Sequence, residues 1–378
     1  KKDLRYSMFC WPDNDALYVK IIGWFIFMNI CVVTVCHGAC LFKATTEISV
    51  IISVAATFNA LIETLVRFHI LLTKKKILNE ILVKVWKKFW PAQAILRPEI
   101  RNKLRKRVII TFVLSIIFLI TGTISAAEIT TVPYLKEREL ELRLNVPFDW
   151  TRKFLYEIIY VYQYFIVWYS FSMINTFDIF FVALVNVCIA QFVILQEALK
   201  FILSEESKRQ RRIIFGGKAE NMTDSEMLSE CLKQHVLLIS ICNDMEKSLN
   251  RAILMQFIVS ATASCAGFLI MKIDYNQFSK MLFYAVAHLI QLFHYCYVGE
   301  HLSNESERIS DVAYECNWHL EYRMEFRKAL ILIMQRGQRK ICLTAVGLVE
   351  LSFASFVQIL RTTFSFYTLL NTLLVKRN

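Results

Sequence analysis

The chain has 378 residues, 56% of them apolar and 20% charged, with a formal net charge of +12, 9 glycines and 5 prolines. A soluble globular chain carries about 45–50% apolar and about 25% charged residues, so these figures exclude a string of soluble domains, and with it disorder, collagen and a disulfide-rich secreted module. The apolar residues come in blocks long enough for bilayer-crossing helices, which need about 20 mostly apolar residues each.

In chain order, residues 1–17 form a polar and aromatic lead-in in which Trp11-Pro12-Asp13 reads as a helix start, with proline early and an acid in the first turn. Seven candidate spans follow, over Tyr18–Phe42, Ile48–Leu72, Val108–Val132, Phe154–Leu203, Ala252–Met271, Phe278–Val298 and Leu343–Val375. The fourth run would be about 75 Å long as one helix, against a hydrocarbon core of about 30 Å. It either holds two spans or crosses once and continues as helix. Two spans need a turn, and the run has no Gly or Pro, so one long helix is the better reading. Its apolar continuation, FFVALVNVCIAQFVILQEAL, then has to pack against other cytosolic helices.

Basic loop residues set the orientation. Between the second and third spans lie Lys74, Lys75, Lys76, Lys84, Lys87, Lys88, Arg97, Arg101, Lys103, Arg105, Lys106 and Arg107, opposed by Glu80 and Glu99. A nucleic-acid patch is the other reading of so basic a loop, but a membrane protein favours a cytosolic loop against anionic lipid. The expected fold is therefore all-α, with seven transmembrane helices, a cytosolic N-terminus, an extracellular C-terminus and a cytosolic helical anchor bundle. A G-protein-coupled receptor would place this loop outside. Residues 18–200 hold spans one to four with the extension of the fourth. Residues 201–251 form a cytosolic loop and helix, 252–298 spans five and six, 299–342 a cytosolic hairpin broken at Gly337, and 343–378 the last span. Gly216-Gly217 reads as a turn, and Thr223 and Glu226 have capping-box spacing. Two glycosylation sequons, at Asn221 and Asn304, fall on the cytosolic side of this topology.

No catalytic motif, metal-ligand spacing or phosphate-binding glycine loop occurs, and of the eleven cysteines Cys31, Cys36, Cys188, Cys265 and Cys296 lie inside apolar runs, where cysteine packs as a small hydrophobe. No enzyme, cofactor or metal is expected. Within the spans, Glu63 and Arg67 are spaced to pair with each other, which favours a structural role. In the last span Ser355, Gln358, Thr362 and Ser365 share one face, continued by Leu369 and Leu373. That stripe is either a small-and-polar packing seam between helices or the wall of a water-filled pore with a leucine constriction that gates by dewetting. Phe58, Gly122, Ser125, Tyr164, Trp168, Phe171, Tyr284 and His288 lie at comparable depth in spans two, three, four and six. Apolar walls with a few polar groups suit a small-molecule cavity.

The run from Gly299 to Leu374 resembles the signature region of insect odorant receptors. Gly299-Glu300, Ser306-Glu307, Val312-Ala313-Tyr314, Trp318, Arg327-Lys328, Arg336, Gln338, Leu343-Thr344-Ala345 and Gly347 follow that pattern in order. The ending FSFYTLL is similar to the family's YSYFTLL, with Phe366-Tyr367 where Tyr-Phe is usual. The resemblance implies a ligand-gated, non-selective cation channel in which the seventh helix of each of four subunits lines a central pore and cytosolic helices form a shared anchor. It implies a small neutral volatile ligand in the outer half of the other helices, and assembly with the insect odorant co-receptor in the plasma membrane of an olfactory sensory neuron. The co-receptor's long insertion between helices four and five is missing, so the chain looks like a tuning subunit. Leu369 and Leu373 match the constriction positions. A gustatory-type or other seven-helix chemoreceptor acting without the co-receptor is the alternative.

Overall fold

The structure, a computed structural model, describes residues 17–42, 48–136, 140, 142, 153–219, 221–273 and 275–377, with side chains left out at 42, 48–50, 132–136, 153, 218, 276 and 373–377. The expected helix start at Trp11-Pro12-Asp13 and most of the expected outer loop at Pro133–Lys153 lie outside the described residues.

Long helices dominate. They are α1 (Leu17–Phe42), α2 (Ile48–Thr73), α3 (Lys75–Lys88), α4 (Pro98–Lys136), α5 (Lys153–Lys200), α6 (Glu206–Phe215), α7 (Asp224–Ile273), α8 (Phe278–Glu315), α9 (Met324–Gly337) and α10 (Phe353–Arg377). Among the described residues α1, α2, α4, α5, α7 and α8 are long and apolar enough to cross a membrane, which makes this an all-α multi-span membrane protein.

With no Gly or Pro to break it, α5 runs unbroken for 48 residues. Its second half is covered as expected: Phe181, Val185, Cys188, Ile189, Phe192, Leu195 and Leu199 are all fully buried. The capping box also forms. Glu226 Oε2 accepts from the backbone N–H of Thr223 at 2.7 Å, and Thr223 Oγ1 accepts from the N–H of Glu226 at 3.3 Å. Gly216 closes α6 at a φ of 62°, a left-handed conformation that glycine adopts freely.

Several boundaries differ from the sequence reading. The cytosolic helix expected before span five and span five itself are one helix, α7, because nothing between Asp224 and Ile273 interrupts it. The hairpin expected over residues 299–342 turns at Cys316–Arg323, not at Gly337. Gly337 ends α9 where it crosses α8 so closely that a Cβ would meet the Ser310 backbone nitrogen at 2.9 Å. Finally, the last helix starts at Phe353 rather than Leu343. Before it, strands β1 (Thr344–Ala345) and β2 (Val349–Glu350) pair antiparallel, with Ala345 opposite Val349. The turn between them puts Val346 at φ 54° and Gly347 at φ 73°, which no helix accommodates. Glu246 on α7 fixes the hairpin by accepting from the backbone N–H of Thr344 at 2.8 Å and from its hydroxyl. Ser352 then caps α10, its Oγ accepting from the N–H of Ser355 at 3.1 Å.

Candidate functional site

Four helices each turn one stripe toward a shared cavity of about 110 Å³. The stripes are Thr57, Ala60 and Leu61 on α2, Phe118, Gly122, Ser125, Ala126 and Ile129 on α4, Val167, Ser170, Phe171 and Ile174 on α5, and Tyr284, Ala287, His288 and Gln291 on α8. Each follows the three-and-four spacing that puts residues on one helical face. Leu142, from the stretch between α4 and α5, completes the wall. Gln163 on α5 holds that residue, accepting from the Leu142 N–H at 3.0 Å and donating to its carbonyl at 2.8 Å.

The walls are apolar, and none of the lining side chains is Lys, Arg, Asp or Glu. Ser125 Oγ, Ser170 Oγ, His288 Nδ1 and Gln291 Oε1 are buried without a hydrogen-bond partner. Buried polar atoms left unpaired cost about 1–3 kcal/mol each, so such a group in a native structure calls for an explanation. Tyr284, by contrast, is used up: its hydroxyl donates to the Ala56 carbonyl at 2.9 Å.

Directly beneath the cavity, Gln291 joins a buried charge cluster. Arg67 Nη2 bonds Glu63 at 2.8 Å, Asp178 at 3.0 Å and Gln256 Oε1 at 2.5 Å. Gln291 Nε2 donates to Asp178 at 2.6 Å and to Glu63 at 3.2 Å, and the Tyr295 hydroxyl donates to Asp178 at 2.5 Å. The two carboxylates fix the Gln291 amide with its NH₂ toward them, which leaves the carbonyl oxygen as a spare acceptor. The cluster ties α2, α5, α7 and α8 together at one level. The sequence reading paired Glu63 with Arg67, as found, but Asp178, Gln256, Gln291 and Tyr295 come from three other helices, and no spacing signal connects them.

Of the residues expected to bind ligand, Gly122, Ser125, Phe171, Tyr284 and His288 line the cavity. Phe58, Tyr164 and Trp168 do not. Phe58 faces the other way: a Cβ added at Gly38 on α1 would meet its ring at 2.7 Å. Trp168 stands behind the lining, edge-on to Phe171 with ring centroids 6.0 Å apart, and Tyr164 packs in turn on Trp168 at 6.0 Å. Depth alone had grouped these three with the others; helical face separates them. Ser170, Gln291 and Thr57 were missed, although the stripes through Phe171 and through Tyr284 and His288 lead to the first two.

On α10, Ile359, Thr363 and Tyr367 turn toward the protomer, Tyr367 edge-on to Phe268 of α7 with centroids 6.4 Å apart. Gln358, Thr362, Ser365 and Leu369 lie on the other side and are exposed, Leu369 by 55%. Ser355 is at the edge of that face, buried and hydrogen-bonded to Ser352 at 3.0 Å. Leu373 belongs to α10, but its side chain lies outside those described. No His, Cys, Asp and Glu side chains gather as a metal site among the described residues.

Comparison with known proteins fits this arrangement. The family described as 7tm Odorant receptor matches residues 47–364. Odorant receptor 22c of Drosophila melanogaster is 31% identical over 149 residues, which are 39% of this chain and 37% of that protein. Odorant receptor Or2 of Anopheles gambiae is 25% identical over 251 residues, 65% of each chain. The matched stretches thus span from just over a third to about two thirds of these relatives. The solved structure of the insect olfactory receptor OR5 from Machilis hrabei in complex with eugenol superposes with a TM-score of 0.79, covering 98% of this chain and 96% of that one at 13% identity, so the fold is shared along almost its whole length. With the family match running over most of its residues, the chain belongs to the 7tm odorant receptor family.

Proposed function

We propose that this chain is the odorant-binding subunit of a heteromeric, ligand-gated, non-selective cation channel, working with the insect odorant co-receptor in the plasma membrane of an olfactory sensory neuron. The cavity between α2, α4, α5 and α8 carries this reading. It is apolar and free of ionic side chains, and it keeps unpartnered polar atoms at Ser125, Ser170, His288 and Gln291. Its volume is of the order of the roughly 150 Å³ cavity that takes benzene. The ligand is a compact neutral volatile, an alcohol, ester or small terpenoid, oriented by one polar contact within apolar walls.

In the same reading α10 is the seventh span, the N-terminus is cytosolic and the C-terminus outside. Four copies of α10 surround the cation path. Gln358, Thr362 and Ser365 face water, Ser355 stands at the inner edge of that face, and Leu369 and Leu373 form the dewetting constriction. Exposure of Gln358, Thr362, Ser365 and Leu369 on the side of α10 turned away from its own protomer supports this role.

The test is whole-cell current from cells expressing this chain, the co-receptor, or both, across a panel of small neutral volatiles. Ligand-evoked current that requires both chains, and that the co-receptor alone lacks, is the expected result. Equal ligand-evoked current from this chain alone would instead assign it to the chemoreceptors that act without a partner.

A further inference from the structure

A second cleft lies well below the odorant cavity, where α4, α5 and α8 meet, lined by Lys103, Arg107, Gln196, Glu305 and Arg308. Arg107 is only 5% exposed. Its Nη2 bonds Glu305 Oε1 at 2.8 Å, while its Nη1 is buried with no partner. Glu305 is already engaged from the other side: Gln196 Nε2 donates to its Oε2 at 3.0 Å and to its backbone carbonyl at 2.8 Å. Lys103 and Arg308 are exposed at the mouth and make no ion pair among the described residues. Three cations therefore face one carboxylate. His301, one turn before Glu305, adds no charge near neutrality, since burial first and Arg107 next push its pKa down to about 4. The free space is about 10 Å³, roughly what one water-sized oxygen occupies.

We infer that this cleft binds a phosphomonoester on an anionic headgroup, one phosphate oxygen entering to Arg107 Nη1 while Lys103 and Arg308 close on the others. A phosphomonoester carries about −1.5 to −2 charges near neutral pH, which matches the surplus of two cations better than a singly charged phosphodiester does. The position points to a lipid. Measured along α4 and α8, the cleft lies about 40 Å from their outer ends. That is about 10 Å past a hydrocarbon core of about 30 Å, at the level of inner-leaflet headgroups. The lipid source rests on the cytosolic orientation proposed above; the phosphate site itself does not.

The experiment uses the full-length chain, purified with its co-receptor in detergent, where both faces are open, so a negative result speaks of the cleft and not of the topology. Binding is read by native mass spectrometry with four probes: short-chain phosphatidylinositol bisphosphate, short-chain phosphatidylserine, inositol trisphosphate and inorganic phosphate. The bisphosphate lipid binds tightest. Lys103→Gln and Arg308→Gln each weaken it about fivefold, with the melting temperature unchanged because both side chains are exposed. If inositol trisphosphate binds as tightly as the lipid, the site stands and its source is a soluble phosphate. Tighter binding of phosphatidylserine than of every phosphomonoester would overturn the inference. So would bisphosphate binding that the Lys103→Gln/Arg308→Gln double variant leaves unchanged. Arg107→Gln also abolishes binding but leaves Glu305 buried without its cation, so the two exposed residues decide.

Discussion

Helices α5 and α8 are packed in two different ways along their lengths. Away from the cavity, the second half of α5 packs into a core that is filled apart from the small cleft at Arg107. Gln191 matches its amide to both backbone groups of Trp90, accepting at 2.9 Å and donating at 2.8 Å, and also accepts from Gln234 at 3.1 Å. At the cavity level the same two helices, with α2 and α4, surround empty space, and Ser170, His288 and Gln291 keep polar atoms unpaired. The glycines show the same contrast. A Cβ at Gly299 would fall 2.3 Å from the Leu351 Cβ and 2.6 Å from its carbonyl oxygen, both held by the backbone of the segment leading into α10. A Cβ at Gly122 would meet the edge of the Phe171 ring at 2.6 Å, and that ring borders the void. The filled region is built to stay one way. The cavity region is left incomplete in just the manner that a small ligand can complete.

The largest effect comes from the layer dividing the two regions. Arg67→Leu strands Glu63 and Asp178 in a buried site and should destabilise the fold by about 3–5 kcal/mol. A collapse of surface expression or of the melting transition measures it. Replacing Glu63 and Asp178 by leucine as well should recover much of the loss, because removing a buried charge set whole costs far less than breaking it.

Acidification gives a second stability test, read at His235. His235 on α7 is 2% exposed, and burial, then Arg336, pushes its pKa down to about 4. The unfolded chain takes up that proton near pH 6.5 and the folded one only near pH 4, so stability is full above about 6.5 and falls as pH drops between the two values, by up to about 3 kcal/mol. Melting temperature against pH should show this slope, and His235→Gln should make it shallower.

Gly299→Ala should cost about 1–3 kcal/mol, since the atoms in the way are held by backbone and the helix must shift. Gly122→Ala should cost under about 1 kcal/mol, because the Phe171 ring can turn into the cavity. Side-by-side melting curves test the contrast; equal losses would erase the distinction between the two regions.

Much of the fold can be read from the sequence because apolar runs and charge asymmetry are long-range averages. The unbroken α5, the burial of its continuation and the Thr223–Glu226 cap all follow from residue order. The start of α10 does not. Leu343 to Leu351 is as apolar as a helix, and the two left-handed residues, Val346 and Gly347, are fixed by Glu246, almost a hundred positions away. The site was half visible for a similar reason. Depth is set by position along a helix and is readable, which found Gly122, Ser125, Phe171, Tyr284 and His288. Rotation about the helix axis is set by neighbours, and it turned Phe58 toward α1 and put Trp168 behind Phe171. Leu142 and Gln163 meet with no periodicity to announce it.

The central claim, that the cavity holds the odorant, is tested most directly by concentration–response curves for the best activating volatile in cells carrying the co-receptor and Gly122→Ala or Phe171→Ala at matched surface expression. Gly122→Ala pushes the Phe171 ring into the cavity and should raise the half-maximal concentration about tenfold. Phe171→Ala opens space and should shift the response toward bulkier ligands of the same class. Unchanged curves for both variants, across the whole ligand series, would place the odorant elsewhere and contradict the account.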